Sequence, residues 1–177
     1  MRALTYERFG GPLSVSDVPE PELPADGALV RVLASGLCRS DWHGWMGHDP
    51  DIAVFPHIPG HEFAGEVVAV GSAVSGVAVG ERVTAPFVYA CGLCSVCRAG
   101  DGQVCPEQTQ PGFTRPGSFA ELVVVERAAT NLIRLPAEVT FGQAAALGCR
   151  MATAFRAVVH RGQVQPGEWV VVFGCGG

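Results

Sequence analysis

Apolar and polar residues alternate in three short runs near the start of the chain, at residues 3–6, 13–18 and 28–35, and a period of two marks half-buried strands. Gly10, Gly11 and Pro12 part the first two runs. Pro19, Pro21, Pro24 and Gly27 fill the interval before the third, which excludes a helix there. The stretch GLCRSDWHGWMG then changes the period: Ser40 followed by Asp41 predicts the cap of a short helix carrying Trp42, His43, Trp45 and Met46. Pro50, Pro56 and Pro59 keep the next segment irregular. Strands are expected again at 66–70, 82–85, 119–126 and 132–135, and helices at 140–146 and 149–160, where Ala and Leu recur at suitable intervals. Residues 168–173, EWVVVF, form an apolar run of the kind buried in a parallel sheet, and glycines follow at once. Many short strands and few helices predict a mainly β fold with some α (α+β).

Composition narrows the setting. With 177 residues, 48% of them hydrophobic, the chain can bury a core and slightly exceeds one ordinary domain. Its net charge is -5 and only 16% of its residues are charged, so no basic patch is available for nucleic acid or an anionic membrane. Such sparse charge suggests that part of the surface is covered by further protein. The first residues lack an apolar signal core, and no run approaches the roughly 18 apolar residues of a membrane span. A cytoplasmic protein is expected, and a reducing compartment would keep its seven cysteines available as ligands.

Four of those cysteines carry the least ambiguous chemistry. Cys91, Cys94, Cys97 and Cys105 are separated by two, two and seven residues, a spacing that lets one looped lobe surround a tetrahedral cation with four sulfurs. Gly92, Gly100 and Gly102 supply turns among them. An iron–sulfur run has a shorter last gap, and disulfides or unrelated packed thiols are the remaining alternatives. Zinc bound by four thiolates has no open position, so this site would hold a lobe together and perform no reaction.

Cys38, Cys149 and Cys175 remain, with His43, His48, His57, His61 and His160. Two thiolates and one imidazole with a vacant fourth place make up a catalytic zinc site, but sequence gaps this long do not select the set, and a lone histidine before a strand is more often packed or capped. Gly174, Cys175 and Gly176 would begin a G-x-G-x-x-G phosphate loop, or form a plain glycine turn.

The strings GLCRSDWH, PGHEFAGEV, the cysteine lobe ending at Cys105, LGCRMATAF and VVVFGCGG resemble, in order and spacing, the motifs of zinc-dependent medium-chain alcohol dehydrogenases, across essentially the whole chain. The resemblance implies a GroES-like β-barrel catalytic domain at 1–150, with an inserted structural zinc lobe at 87–110. Residues 151–177 would then be a linker helix and the first strand of a Rossmann domain. It implies two zincs per chain, a catalytic one on Cys38, His61 and Cys149 and a structural one on Cys91, Cys94, Cys97 and Cys105. Ser40 and His43 match a proton relay, Asp41 the carboxylate behind a ligand imidazole, and Glu62 an acid beside the metal that assists ligand exchange. Arg39, Thr153, Gly174 and Gly176 match contacts to NAD or NADP. Phe87, Trp42 and Trp45 would wall a pocket or pack in the core. Arg150 departs from the usual glycine, Cys175 is expected to pack as a small apolar residue, and His48, His57 and His160 match no ligand and are expected at the surface. The implied activity is exchange of a hydride between an alcohol or carbonyl substrate and a nicotinamide, in a homo-oligomer, with this chain inactive alone. The alternatives are a polyol- or threonine-type dehydrogenase of the same superfamily, and a zinc-binding GroES-like structural or regulatory module without catalysis.

Overall fold

A computed structural model of the chain describes residues 1–174. Its main sheet has five antiparallel strands in the order β6-β3-β4-β5-β7. These are β3 (Ala28–Gly36), β4 (Glu62–Val70), β5 (Arg82–Thr84), β6 (Leu122–Val125) and β7 (Ile133–Arg134). The hairpin of β1 (Arg2–Thr5) and β2 (Ser14–Asp17) forms a second sheet, and a bridge between Ala3 and Ala120 anchors it beside β6. Up to residue 135 the expected and observed strands coincide within a few residues, except that β4 begins at Glu62 rather than 66.

The core lies where the alternating faces meet: Ala28, Val30, Phe63, Val67, Val83 and Val123 are buried in one cluster. At full burial each of the larger aliphatic side chains contributes about 1.5–3 kcal/mol. Register shifts interrupt the β3–β4 ladder between Leu29 and Val30 and between Val32 and Ala34, where Gly65 lies against the Arg31 carbonyl and leaves no room for a Cβ.

Short helices occupy the connections before and after these strands. α1 (Arg39–Trp45) follows β3 directly, and α2 (Ser95–Arg98) lies in the cysteine lobe between β5 and β6. α3 (Ala128–Asn131) follows β6. α4 (Phe141–Ala145) starts with a reciprocal cap, in which Thr140 Oγ1 accepts from Gln143 N at 3.2 Å and Gln143 Oε1 accepts from Thr140 N at 3.0 Å. A π-helical turn, Leu147–Met151, then leads into α5 (Ala152–Phe155) and a second such turn, Arg156–Arg161. The described helices include none long and apolar enough to cross a membrane.

Three local expectations change. The cap of α1 is Cys38, not Ser40, because Asp41 reaches back to the Cys38 N–H and draws the helix start forward. His57 is only 5% exposed: its backbone bridges to Tyr6 and its ring donates from Nε2 to the Gly112 carbonyl at 2.9 Å. Burial holds its pKa below the ordinary imidazole value. His48 and His160 are exposed, as expected. The buried strand expected at 168–173 does not form, and Trp169 and Phe173 are 99% and 96% exposed. A central strand needs ladder partners on both sides, and no described strand pairs with this run.

Candidate metal centre and cleft

The turn from β3 into α1 places a carboxylate where three donors converge. Asp41 Oδ2 accepts from Cys38 N at 2.8 Å, while Oδ1 accepts from Gly60 N at 3.1 Å and faces His61 Nδ1 at 3.0 Å. Asp41 and His61 are both buried. An ionised carboxylate only accepts, so Nδ1 carries a ring proton and Nε2 is the nitrogen left to take a cation, either a proton or a metal. That Nε2 is buried without a hydrogen-bond partner.

Cys149, in the first π-helical turn, completes the group: one ligand atom each from Cys38, His61, Glu62 and Cys149 lies within 4.8 Å of all the others. Turns of this kind recur at functional sites because they displace side chains from the regular helical spiral. Two thiols, a carboxylate and an orphaned ring nitrogen in one buried cluster attract positive charge. The direction of the pKa shifts agrees. Burial opposes charge on the His61 ring, yet Asp41, Cys149 and Cys38 raise its pKa to about 10. Burial also opposes the Cys38 thiolate, but Ser40, through its N–H and hydroxyl, and the His61 ring bring its pKa below the ordinary thiol value. The donor set therefore fits a divalent, thiophilic cation.

The second cluster is the cysteine lobe. Sulfurs of Cys91 and Cys97 are 3.8 Å apart and those of Cys94 and Cys105 are 3.9 Å apart, against about 2.05 Å in a disulfide. All six described cysteines are free, so the disulfide alternative does not hold among them, and sulfurs this close suit one ion rather than a multi-iron cluster. Backbone N–H groups of Leu93 and Cys94 point at Cys91 Sγ at 3.4 and 3.3 Å, and they lower its pKa to about 6. Burial and the neighbouring thiols push Cys97 up to about 12, since adjacent thiolates repel without a cation between them. Asn131 ties the lobe to the sheet, its Oδ1 accepting from Ala90 N at 2.9 Å and its Nδ2 donating to Ala90 O at 3.1 Å.

A cleft of about 940 Å³ opens over the first cluster, and Ser40, His43, Phe87, Phe113 and Thr153 line it with the ligand candidates. Ser40 Oγ is 3.7 Å from Cys38 Sγ. Among the described residues no hydrogen bond joins Ser40 to His43; instead His43 Nδ1 meets His48 Nδ1 at 3.0 Å, a pairing the sequence did not suggest. Phe87 walls the cleft. Trp42 and Trp45 do not: Trp45 Nε1 donates to the Gly11 carbonyl at 2.8 Å, and Trp42 carries the guanidinium of Arg39 4.0 Å above its ring. Arg39 thus stands outside the cleft. Gly174 is exposed with a φ of 82°, while Cys175 and Gly176 lie outside the described residues.

The partner of Glu62 also escaped the sequence reading. Glu62 is fully buried, and its Oε1 accepts from Arg150 N and Nε, both at 3.1 Å. Arg150 Nη2 lies 2.8 Å from Oε2, close enough for an ion pair but out of line for a hydrogen bond. The only hint in the sequence is a charged residue where the resemblance implies glycine.

A profile of the alcohol dehydrogenase GroES-like domain matches residues 24–137. An alcohol dehydrogenase of Geobacillus stearothermophilus is 36% identical over 178 aligned positions, covering 100% of this chain and 52% of that protein. Alcohol dehydrogenase 1 of Caenorhabditis elegans is 33% identical over 99% of this chain and 50% of its own length. Among solved structures, an NAD-dependent alcohol dehydrogenase superposes with a TM-score of 0.86 at 36% identity over 94% of this chain and 49% of that one. The alcohol dehydrogenase TADH of Thermus sp. ATN1 gives 0.86 at 34% identity, with the same coverage. The chain spans about half the length of the curated relatives it matches.

Proposed function

Since the chain belongs to the alcohol dehydrogenase GroES-like domain family, we propose that it is the metal-binding, substrate-side part of an oxidoreductase that interconverts an alcohol and an aldehyde or ketone with NAD or NADP. The observation that carries this reading is the convergence of Cys38, His61 and Cys149 on one point at the floor of an open cleft, with the His61 Nε2 unpartnered. In this reading zinc occupies both clusters. Residues 1–150 form the catalytic domain with its lobe at 87–110, and 151–177 begin the nucleotide-binding domain of a cytoplasmic homo-oligomer.

A cation held by Cys38, His61 and Cys149 supplies Lewis-acid polarisation of a substrate oxygen. The chain's own residues do the rest. Asp41 fixes the tautomer and the orientation of His61, so that Nε2 faces the cleft. Phe87 and Phe113 flank the His61 ring with centroids 6.3 and 5.3 Å away, and they exclude water from the side of the cluster where charge develops. Ser40 stands beside the Cys38 sulfur, where it would take the hydroxyl proton, and His43, on the same short helix and without a direct hydrogen bond to Ser40, lines the cleft as the next group toward solvent. Thr153 lines the same cleft and would contact the nicotinamide.

Joined to a nicotinamide-binding half, the chain should reduce cofactor when given a panel of alcohols, followed by absorbance of the reduced nicotinamide. Polarisation by a metal is worth several kcal/mol, so Cys38→Ala should lower kcat/KM by about a thousandfold or more. Undiminished turnover in Cys38→Ala, with the metal demonstrably lost, would remove the proposal.

A further inference from the structure

The pairing of Glu62 with Arg150 has a consequence beyond the metal site itself. A carboxylate oxygen of Glu62 belongs to the same 4.8 Å group as the donors of Cys38, His61 and Cys149. Two thiolates, one imidazole and one carboxylate would complete a four-coordinate shell and leave no place for substrate. We infer that Arg150 is the positioning residue that holds the Glu62 carboxylate off the metal and so keeps the fourth position open. This inference rests on the metal-bound reading proposed above.

The geometry of the hold is specific. One residue supplies all three contacts: its own N–H and Nε to Oε1, both at 3.1 Å, and Nη2 against Oε2 at 2.8 Å. Because Arg150 follows Cys149 in the same π-helical turn, the backbone that delivers the ligand sulfur also aims the guanidinium. Gly36, at the end of β3, leaves the room: a Cβ there would strike the Glu62 carboxylate and come within 2.7 Å of Arg150 Nη2. Charge argues the same way. Two thiolates and a carboxylate around a dication sum to one excess negative charge, in a place where Glu62 has no exposure. A buried uncompensated charge is costly, and the Arg150 guanidinium balances it without occupying the metal. With that partner gone, the nearest cation left for Glu62 is the metal.

The test is titration of cobalt-substituted protein with imidazole, a small ligand for an open metal position, followed in the visible absorption of the cobalt. The four-thiolate site has no open position, so the response belongs to the Cys38 site alone. Wild type and Arg150→Lys should bind imidazole comparably. Arg150→Gln should bind it at least tenfold more weakly and release its cobalt more slowly to a chelator. The double variant Glu62→Gln/Arg150→Gln should return to the wild-type imidazole affinity, since neither charge remains. An unchanged affinity in Arg150→Gln would overturn the inference. If Arg150→Gln does not hold cobalt, the double variant decides: wild-type affinity there supports the inference, and absence of binding there overturns it. A wild type whose spectrum ignores imidazole refutes the underlying metal reading instead, which keeps the two failures apart.

Discussion

Cys94→Ala is expected to unfold the lobe between Cys91 and Cys105 while the five-stranded sheet survives. The lobe has little else to hold it: α2 has four residues, the following turn Gly102–Val104 has three, and neither buries a single residue. Helices this short do not persist alone. Structural zinc in a comparable four-ligand site contributes roughly 10–16 kcal/mol, far above any other interaction within these residues. Cys94 is also the N-cap of α2, its sulfur accepting from Cys97 N at 3.4 Å, so metal and helix are lost together. Limited proteolysis should cut the variant, or chelator-treated wild type, within the lobe at least tenfold faster than metal-loaded wild type. Equal resistance would mean that packing holds the lobe and that the sulfurs are incidental.

The second large effect is expected at Asp41. One buried carboxylate satisfies Cys38 N, Gly60 N and His61 Nδ1, so Asp41→Ala leaves three donors without a partner. Each orphaned buried group costs about 1–3 kcal/mol. The cap of α1 is lost as well, and with it the position of Cys38. Losing the partner behind a ligand imidazole typically weakens metal binding by about 10–100-fold. Asp41→Asn retains the shape and part of the capping, so it should recover much of the thermal stability but little of the metal affinity. Competition with a chromophoric chelator, run beside thermal unfolding, separates the two. If Asp41→Asn bound metal as wild type does, the carboxylate would be a cap alone.

The strands and the cysteine lobe were legible because their signals are local. Alternation at 28–35 needs only its own residues, and the gaps of two, two and seven among the lobe cysteines state their purpose without the fold. The Cys38, His61 and Cys149 group is different. Its members lie at the cap of α1, just before β4 and in a π-helical turn, so only the family resemblance joined them before the coordinates brought their ligand atoms within 4.8 Å. What stayed hidden depends on tertiary register. Cys38 rather than Ser40 caps α1 because Asp41 is shared with His61, a residue beyond the reach of any local pattern. His57 is buried because its loop runs beside Tyr6. Arg150 finds Glu62 only once β4 and the π-helical turn are packed together. The apolar run at 168–173 shows the reverse case: its composition is that of a sheet interior, but a strand requires neighbours, and none is paired with it among the described residues.

Metal content of the folded chain distinguishes one closed and one open cation site from a single structural one. Elemental analysis of zinc-loaded protein should give two ions per chain, with one remaining after Cys38→Ala and one remaining after Cys94→Ala. A wild-type content of one ion that Cys38→Ala leaves unchanged would contradict the account and reduce the molecule to a zinc-stapled β scaffold.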